Sequence, residues 1–210
     1  MAETLIVDYG MGNLRSVQKA LERVGSRARI VHDADEVTRA DRIVLPGVGA
    51  FRDAIAALRQ KGLDDAVRDF IATGRPFLGI CLGLQLLFDE GLEDGRHEGL
   101  GIVAGRCVPL TADRTGPDGR LLKVPHMGWN QLDVVRPSPI LQGLTPPIEV
   151  YFVHSYVVEP QDPAVVATRT TYGEAFVSSI WRDNVVATQF HPEKSQRAGL
   201  RMLENFVTLK

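Results

Sequence analysis

Two short motifs in this sequence contain residues that can attack a carbonyl carbon. Residues 79–83 read Gly-Ile-Cys-Leu-Gly, with an apolar run before Cys81 and another after it. A strand-to-helix turn with small residues on both sides lifts a nucleophile above a sheet, and larger flanking residues would clash with neighbouring backbone. The helix amino terminus would favour a thiolate, and the Leu82 N–H could stabilise an oxyanion. The motif predicts a nucleophilic Cys81; the alternative is a small buried apolar residue, the usual role of a single cysteine.

The second motif, His-Pro-Glu at 191–193, can supply a base and a group that orients it. Pro192 favours an extended conformation at His191, so that His191 and Glu193 share a face. A carboxylate beside an imidazole fixes its tautomer and stabilises the imidazolium. We therefore predict a triad in which Cys81 is the nucleophile, His191 the general base and then acid, and Glu193 the orienting residue. A strand-end histidine with a local hydrogen bond remains the alternative for His191, and His32 and His97 are expected at the surface.

The elements that must position these motifs alternate between strand and helix in the first half of the chain. This pattern predicts an α/β fold with an open mixed, mainly parallel sheet flanked by helices, a β-rich second half, and one domain over residues 1–210. Parallel strands are predicted at 5–7, 28–31, 42–45 and 77–80. Helices are predicted after an Asn13 cap and over 51–59, 63–73, 82–89 and 195–207. The segment 82–89 is amphipathic. Further strands are predicted at 101–108, 121–124, 148–158, 165–171, 176–181 and 185–190, with a surface turn at 111–120.

Composition excludes several classes of function. With 24 basic and 26 acidic side chains the net charge is −2, which argues against binding of nucleic acid or an anionic membrane. The longest nearly apolar stretch, 76–88, is interrupted by polar and glycine residues and is shorter than the roughly 20 residues that span a bilayer. The two cysteines lack zinc spacing, so no metal is predicted. Acidic residues near the start argue against a secretory signal and predict a cytoplasmic location.

Two glycine loops begin like dinucleotide-binding fingerprints but do not complete them. The loops start at Gly10 and Gly47, each after a predicted strand. The sixth position of the fingerprint must be small so that helix and strand pack closely, and here it is Arg15 or Arg52. We therefore predict no nucleotide cofactor, and we interpret the loops as tight turns at the edge where α/β sheets place ligands.

The two chemical motifs, together with Gln85, resemble those of the class I glutamine amidotransferases, whose triad is Cys, His and Glu. This resemblance implies a flavodoxin-like fold and glutaminase activity without a cofactor. Four further blocks, at 8–14, 46–51, 125–130 and 151–156, resemble one group in this family. The resemblance to that group implies a heterodimer with a (β/α)8 barrel cyclase subunit in histidine biosynthesis. The resemblance covers essentially the whole chain.

The resemblance also implies roles for individual residues. Those expected to bind glutamine are Gly47, Gly49, Gln85, Glu93, His154, Ser155 and Tyr156. The expected oxyanion donors are the N–H of Leu82 and one from the loop that holds Val48 and Gly49, whose glycines make a peptide rotation inexpensive. The residues expected to face the partner are Asn13, Met127, Trp129, Tyr151 and Lys194.

Other interpretations remain open. A glutaminase of this family could serve another acceptor, such as the pyridoxal phosphate synthase subunit. The chain could also be a non-catalytic scaffold of the same fold, although it keeps all three triad residues. Met127 and Trp129 could belong to the core, and Lys194 could be an ordinary surface charge.

Overall fold

One large sheet organises the molecule in the computed structural model, which describes residues 3–111, 115, 119 and 121–209. Within these residues its thirteen strands are Glu3–Val7 (β1), Arg27–Val31 (β2), Arg42–Gly47 (β3), Phe77–Cys81 (β4), Phe88–Gly91 (β5), His97–Glu98 (β6), Val103–Pro109 (β7), His126–Val134 (β8), Ile148–His154 (β9), Tyr156–Pro160 (β10), Val166–Tyr172 (β11), Glu174–Arg182 (β12) and Val185–Thr188 (β13). The α-helices of the same residues are Leu14–Arg23 (α1), Ala34–Arg39 (α2), Phe51–Gln60 (α3), Leu63–Ala72 (α4), Leu82–Gln85 (α5) and Gln196–Val207 (α6).

The sheet has a parallel half and a mainly antiparallel half. Its main path runs β2-β1-β3-β4-β13-β12-β10-β7-β5-β6, and the first five of these strands are mutually parallel. Off this path, β11 pairs with β12 and β8, and β8 pairs with β9. Strands β3, β4 and β13 are buried along their whole length, because helices cover both faces of the parallel half. The carboxyl ends of these three strands therefore meet at one edge.

Helices on the two faces of the sheet complete two apolar cores. On one face α1 and α6 bury apolar side chains such as Val17, Leu21 and Phe206. On the other face α2, α3 and α4 bury side chains such as Leu58 and Phe70. The periodic apolar positions of α1, α3, α4 and α6 explain why a helix forms at each of these places. Among the described residues, no helix is both long and apolar enough to cross a membrane.

The predicted fold class is confirmed, and the elements that differ have identifiable causes. Helix α2 was not predicted, because it is short and buries only Val37, so the sequence shows no helical spacing of apolar residues. Asp33 caps this helix by accepting from the Asp35 and Glu36 N–H groups at 2.8 and 3.1 Å. The prediction of an amphipathic helix over 82–89 was wrong. Only 82–85 is helical, and the apolar side chains of this segment are buried on all sides before β5 begins.

Three further predictions need correction, and one lies mostly outside the described residues. Asn13 precedes α1 but makes no side-chain cap hydrogen bond. Residues 121–124 are not a strand, and Leu121 forms only an isolated bridge with Thr115. Residues 148–158 are two strands separated at Ser155. Strand β8 was missed because its only buried apolar residue is Leu132. Of the predicted turn at 111–120, only 111, 115 and 119 are described.

Candidate active site

The turn that carries Cys81 is strained and tightly packed. Strand β4 ends at Cys81 and α5 begins at Leu82, with φ 56° and ψ −109° at Cys81. A non-glycine residue at positive φ costs on the order of 1–3 kcal/mol and persists only where its surroundings fix it. A Cβ at Gly83 would lie 1.9 Å from the Leu45 carbonyl oxygen, and a Cβ at Gly79 would lie 2.7 Å from the Gly83 carbonyl oxygen. The two glycines therefore let α5 rest directly on the sheet.

The Cys81 sulfur has polar neighbours from several strands. Its thiol donates to the Val153 carbonyl oxygen at 3.8 Å, and it accepts from Nε2 of Gln189 at 3.7 Å. The buried Tyr9 hydroxyl is also close enough for the Cys81 charge to add to the effect of burial in raising the pKa of Tyr9. The sequence predicted that a helix dipole would favour a thiolate at Cys81. Helix α5 has only four residues, so this dipole is that of a single turn. Groups on other strands therefore dominate the environment of the sulfur.

His191 and Glu193 form a buried pair at the end of β13. Nδ1 of His191 lies 2.8 Å from Oε1 of Glu193, and the side chains are 3% and 2% exposed. The His191 backbone is extended, with φ −100° and ψ 98°, and residues Pro192–Lys194 form a single 3-10 turn that brings Glu193 back to the ring. The His191 N–H donates to the Tyr151 carbonyl oxygen at 2.9 Å, and its own carbonyl accepts from the Ser195 hydroxyl at 2.7 Å. The ring is therefore held at both its backbone and its Nδ1 side.

Cys81 and His191 follow neighbouring parallel strands, which explains how distant parts of the chain meet. Ile80 of β4 lies opposite Thr188 of β13, so both strands end at the same edge. Burial lowers the pKa of His191, but interactions with Cys81 and Glu193 outweigh this effect and raise the pKa to about 10. Nε2 of His191 is buried and makes no hydrogen bond of normal geometry to a described residue. With Nδ1 engaged by Glu193, Nε2 is the ring atom free to exchange a proton with the sulfur.

A cavity of about 470 Å³ opens beside the Cys81 sulfur. It is lined by Val48, Gly49, Cys81, Leu82, Gln85, Glu93, Pro125, Val153, His154, Ser155 and Tyr156. This set includes every residue predicted to bind glutamine or an oxyanion except Gly47. Gly47 is not among the lining residues, and a Cβ there would lie 2.2 Å from the Tyr9 hydroxyl oxygen. Pro125 and Val153 are lining residues that the sequence did not indicate.

The loop after β3 forms one side of this cavity. Val48 is 41% exposed, and Gly49 has φ 99°, a conformation that favours glycine. Where the loop ends, the Glu93 carboxylate accepts from the Phe51 N–H at 2.5 Å through Oε2. Phe51 is the first residue of α3, so Glu93 also satisfies a free N–H at the start of that helix. Glu93 also lines the cavity, as predicted for a residue that binds glutamine.

Gln85 is held in place by two hydrogen bonds from its own amide nitrogen. Nε2 donates to the Tyr156 carbonyl oxygen at 3.4 Å and to Oε1 of Gln189 at 3.1 Å. Both hydrogens of this amide are therefore used by other protein groups. Since an amide oxygen can only accept, Oε1 of Gln85 is available to a donor group in the cavity.

A chain of hydrogen bonds sets the tautomers of two buried histidines, of which His154 lines the cavity. Burial lowers the pKa of His154 to about 3 and that of His126 to about 4, so both rings are neutral near pH 7. Nδ1 of His154 lies 2.9 Å from the Tyr156 carbonyl oxygen and must donate to it, which leaves Nε2 as an acceptor. That atom is 3.0 Å from Nδ1 of His126, which therefore donates. Nε2 of His126 then accepts from Asn130 at 3.4 Å.

An exposed patch lies near the His191–Glu193 pair, and it includes most of the residues predicted to face a partner. Met127 and Trp129 point from the same face of β8 and are 62% and 47% exposed. Trp129 lies opposite Tyr151 of β9, with ring centroids 6.1 Å apart, and the Lys194 ammonium lies 5.9 Å from the Tyr151 ring centroid. Asn13 is exposed at the start of α1, which packs against the 3-10 turn that carries Lys194. Met127 and Trp129 are therefore not core residues.

The sequence missed two polar residues that the structure puts close to these groups. Gln189, in contact with the Cys81 sulfur, looked like the end of an apolar strand, and only its position two residues before His191 could have drawn attention. His126 was overlooked because β8 itself was not predicted. In the described part of the chain, no group of three or more His, Cys, Asp or Glu side chains could hold a metal ion.

Comparison with known proteins identifies the class to which this site belongs. The family model described as glutamine amidotransferase class-I matches residues 5–209. This chain therefore belongs to the class I glutamine amidotransferases, the family that its motifs resemble, and it is a glutamine amidotransferase. The structure of PurLQS from Thermotoga maritima has the same fold, with a TM-score of 0.76 at 18% identity over 99% of this chain and 98% of that one.

Closer relatives belong to one group within the family. The imidazole glycerol phosphate synthase subunit HisH of Syntrophotalea carbinolica is 57% identical over 202 residues, which cover 96% of this chain and 98% of that protein. The subunit of the same name from Aquifex aeolicus is 56% identical over 204 residues, which cover 97% of this chain and 95% of that protein. The resemblance found in the sequence blocks is thereby confirmed.

Proposed function

We propose that this chain, as one domain over residues 1–210, is the glutaminase subunit of an imidazole glycerol phosphate synthase. The observation that carries the proposal is the meeting of Cys81 with the buried His191–Glu193 pair at the wall of a cavity. The HisH relatives, which match nearly the full length of the chain, support the same assignment. Their biosynthetic role also supports the expected cytoplasmic location.

In the proposed reaction the Cys81 thiolate attacks the side-chain amide carbon of glutamine. A C–S bond forms, and the carbonyl oxygen becomes an oxyanion. When the tetrahedral intermediate collapses, the C–N bond breaks and ammonia leaves with a proton from Nε2 of His191. Water then attacks the γ-glutamyl thioester while His191 takes up its proton. The C–S bond breaks, glutamate is released, and the thiol is restored.

We assign oxyanion stabilisation to the Leu82 N–H and to one N–H from the loop that holds Val48 and Gly49. Losing one such donor typically costs on the order of 10² to 10³ in rate. The exposure of Val48 and the positive φ of Gly49 support a loop whose peptide can rotate at low cost. In this proposal a partner signal turns the loop N–H towards the substrate and so switches the site on.

Ammonia is the product that a second protein would use. We propose that the acceptor is a (β/α)8 barrel cyclase, which uses ammonia to form imidazole glycerol phosphate and an aminoimidazole carboxamide ribotide. The exposed patch of Met127, Trp129, Tyr151 and Lys194 supports a docking face next to the triad. Exposed aromatic and methionine side chains such as these are enriched at protein interfaces.

The experiment that tests this proposal is the Cys81→Ala substitution in the complex with the cyclase subunit. We expect glutamine-dependent synthesis to be abolished and ammonia-dependent synthesis to persist, because only the first needs the thiol. Persistence of both would show that Cys81 is not the nucleophile. Labelling the wild-type chain with a glutamine-analogue electrophile, followed by peptide mapping, should modify Cys81 and leave Cys107, which is 1% exposed, unmodified.

The same assays separate the two alternatives. A glutaminase that serves another acceptor would hydrolyse glutamine but would not be stimulated by the cyclase and its ribonucleotide ligand. A scaffold would release no glutamate with or without the cyclase. Stimulated hydrolysis by the wild-type pair is the result that our proposal requires.

A further inference from the structure

Gln189 is a fully buried polar residue that no step above uses. Its side chain is 0% exposed and lies directly after β13, two residues before His191. Its amide contacts two groups of the site, because Oε1 accepts from Gln85 at 3.1 Å and Nε2 donates to the Cys81 sulfur at 3.7 Å. A buried amide without partners would cost free energy, so these contacts account for its presence between the two side chains.

The hydrogen-bond network fixes which end of the Gln189 amide faces the sulfur. The Tyr156 carbonyl oxygen can only accept, so the nearby terminal atom of Gln85 must be its nitrogen. That nitrogen also lies against Gln189, and Oε1 is the only atom of the Gln189 amide that can accept from it. Rotating the Gln189 amide by half a turn would put two NH2 groups in contact. Its NH2 group therefore points at the Cys81 sulfur.

The two hydrogen-bond neighbours of the sulfur act in opposite directions. The Val153 carbonyl oxygen accepts from the thiol and so stabilises its neutral form, whereas an N–H donor stabilises a negative sulfur. Other titratable groups that interact with Cys81 are His191 beyond β13, Tyr9 beyond β1 and Cys107 in β7. Of these, His191 can carry the positive charge that pairs with a thiolate, while Tyr9 and Cys107 are buried and uncharged near pH 7.

We propose that Gln189 is an additional catalytic residue, whose amide N–H stabilises the negative charge on the Cys81 sulfur before it attacks the substrate. This inference rests on the proposed role of Cys81 as the nucleophile. Because Gln85 sets the orientation of the Gln189 amide, the residue at the cavity wall and the nucleophile belong to one network. A ligand that binds the Gln85 oxygen leaves this network intact, since only its nitrogen is used.

The test compares Gln189→Met with Thr188→Val in the full chain. Methionine keeps the length of the side chain and removes the donor. Thr188→Val removes a neighbouring buried hydrogen bond, from the Thr188 hydroxyl to the Phe190 carbonyl oxygen, without touching the sulfur. The measurement is the rate at which iodoacetamide alkylates Cys81 as a function of pH, with the modified peptide mapped and folding checked by circular dichroism.

We expect the midpoint of the alkylation profile of Gln189→Met to rise by about one pH unit, with a rate about tenfold lower on the acidic side of the midpoint. The Thr188→Val profile should keep the wild-type midpoint even if that variant is less stable. Gln189→Glu, which keeps the shape of the side chain and turns an acceptor towards the sulfur, should shift the midpoint in the same direction.

An unchanged midpoint in both Gln189 variants would overturn the role of Gln189. An equal shift in Thr188→Val would also overturn it, since the effect would then come from general loosening of the fold. Failure of the proposed function looks different, because the wild-type chain would then not be labelled at Cys81 by the glutamine analogue, and Cys81→Ala would retain glutamine-dependent synthesis. The two hypotheses can therefore fail separately.

Discussion

Replacing Glu193 with glutamine removes the charge that contacts His191 and keeps the size of the side chain. The two side chains are 2% and 3% exposed and 2.8 Å apart, so water screens their interaction only weakly. A hydrogen bond to a charged group contributes about 1.5–3 kcal/mol and a neutral one about 0.5–1.5 kcal/mol. The charge is therefore worth about 1–1.5 kcal/mol to the imidazolium, which corresponds to roughly tenfold in rate.

We expect kcat for glutamine hydrolysis by Glu193→Gln to fall at least about tenfold. If the new amide turns its NH2 group towards Nδ1, it holds the wrong tautomer, and the loss grows towards about 10⁴-fold, as in the Ser-His-Asp triad when its carboxylate becomes an amide. KM should change little, because Glu193 does not line the cavity. A variant with wild-type kcat in the complex would refute the assignment of Glu193 as the orienting residue.

The same substitution should change how stability depends on pH. The pKa of His191 is raised in the folded state from 6.5 to about 10, so its contribution to the free energy of unfolding is fully present below about pH 6.5 and is lost as the pH rises through about 10. Glu193→Gln removes one cause of this raised pKa. The wild-type chain should therefore exceed the variant in stability most near pH 6, and the difference should shrink towards pH 10.

Urea unfolding of both chains at several pH values measures this difference. A suitable control is Glu204→Gln, because Glu204 is an exposed carboxylate, 51% exposed, whose ion pair with Arg201 should contribute little. A difference between wild type and Glu193→Gln that stays constant, or grows with pH, would contradict the charge interaction argued from the structure.

Three further substitutions probe other parts of the site. Gly83→Ala should destabilise the fold by several kcal/mol in thermal or urea unfolding, because its Cβ would meet the Leu45 carbonyl oxygen at 1.9 Å. The control is Gly62→Ala, which has open space around it and should cost only about 1–2 kcal/mol. Similar losses in the two variants would contradict the packing argument. Val48→Pro should abolish stimulation of glutaminase activity by the partner while glutamine still binds, and unchanged stimulation would count against rotation of the loop. His126→Phe keeps a ring stacked on Phe152 but removes the donor to His154, so KM for glutamine should rise about fivefold with little change in kcat, and an unaltered KM would show that the histidine chain does not position the cavity wall.

The parallel half of the fold was predictable because its signals are local. Strands such as β3 and β4 are continuous apolar runs, and the helices between them bury residues at helical spacing. The tight turn at Cys81 was predictable for the same reason, since Gly79 and Gly83 indicate a close approach of backbone that larger residues would prevent. The contact between His191 and Glu193 was also predicted, but from an extended segment; in the structure a 3-10 turn over Pro192–Lys194 makes it.

The second half was harder, because its strands owe their form to pairing partners far along the chain. Strand β8 exposes most of its side chains, so its sequence shows no alternation of apolar and polar residues. It is a strand because it pairs with β9, from His126 opposite His154 to Leu132 opposite Ile148. Gln189 was missed because its partners, Gln85 and Cys81, are more than 100 positions away. The order of strands in the sheet determines which polar residue contacts the sulfur. No local sequence pattern predicts that order.

Strand β9 is a common support for groups that have different tasks. Tyr151 carries the exposed ring, and its carbonyl holds the backbone of His191. Two and three residues further along, Val153 contacts the sulfur and His154 lines the cavity. A protein that displaced the Tyr151 ring would displace a strand that also contacts His191, Cys81 and the cavity. A force on this surface would therefore act on Cys81, His191 and the cavity together, so kcat and KM for glutamine should change together.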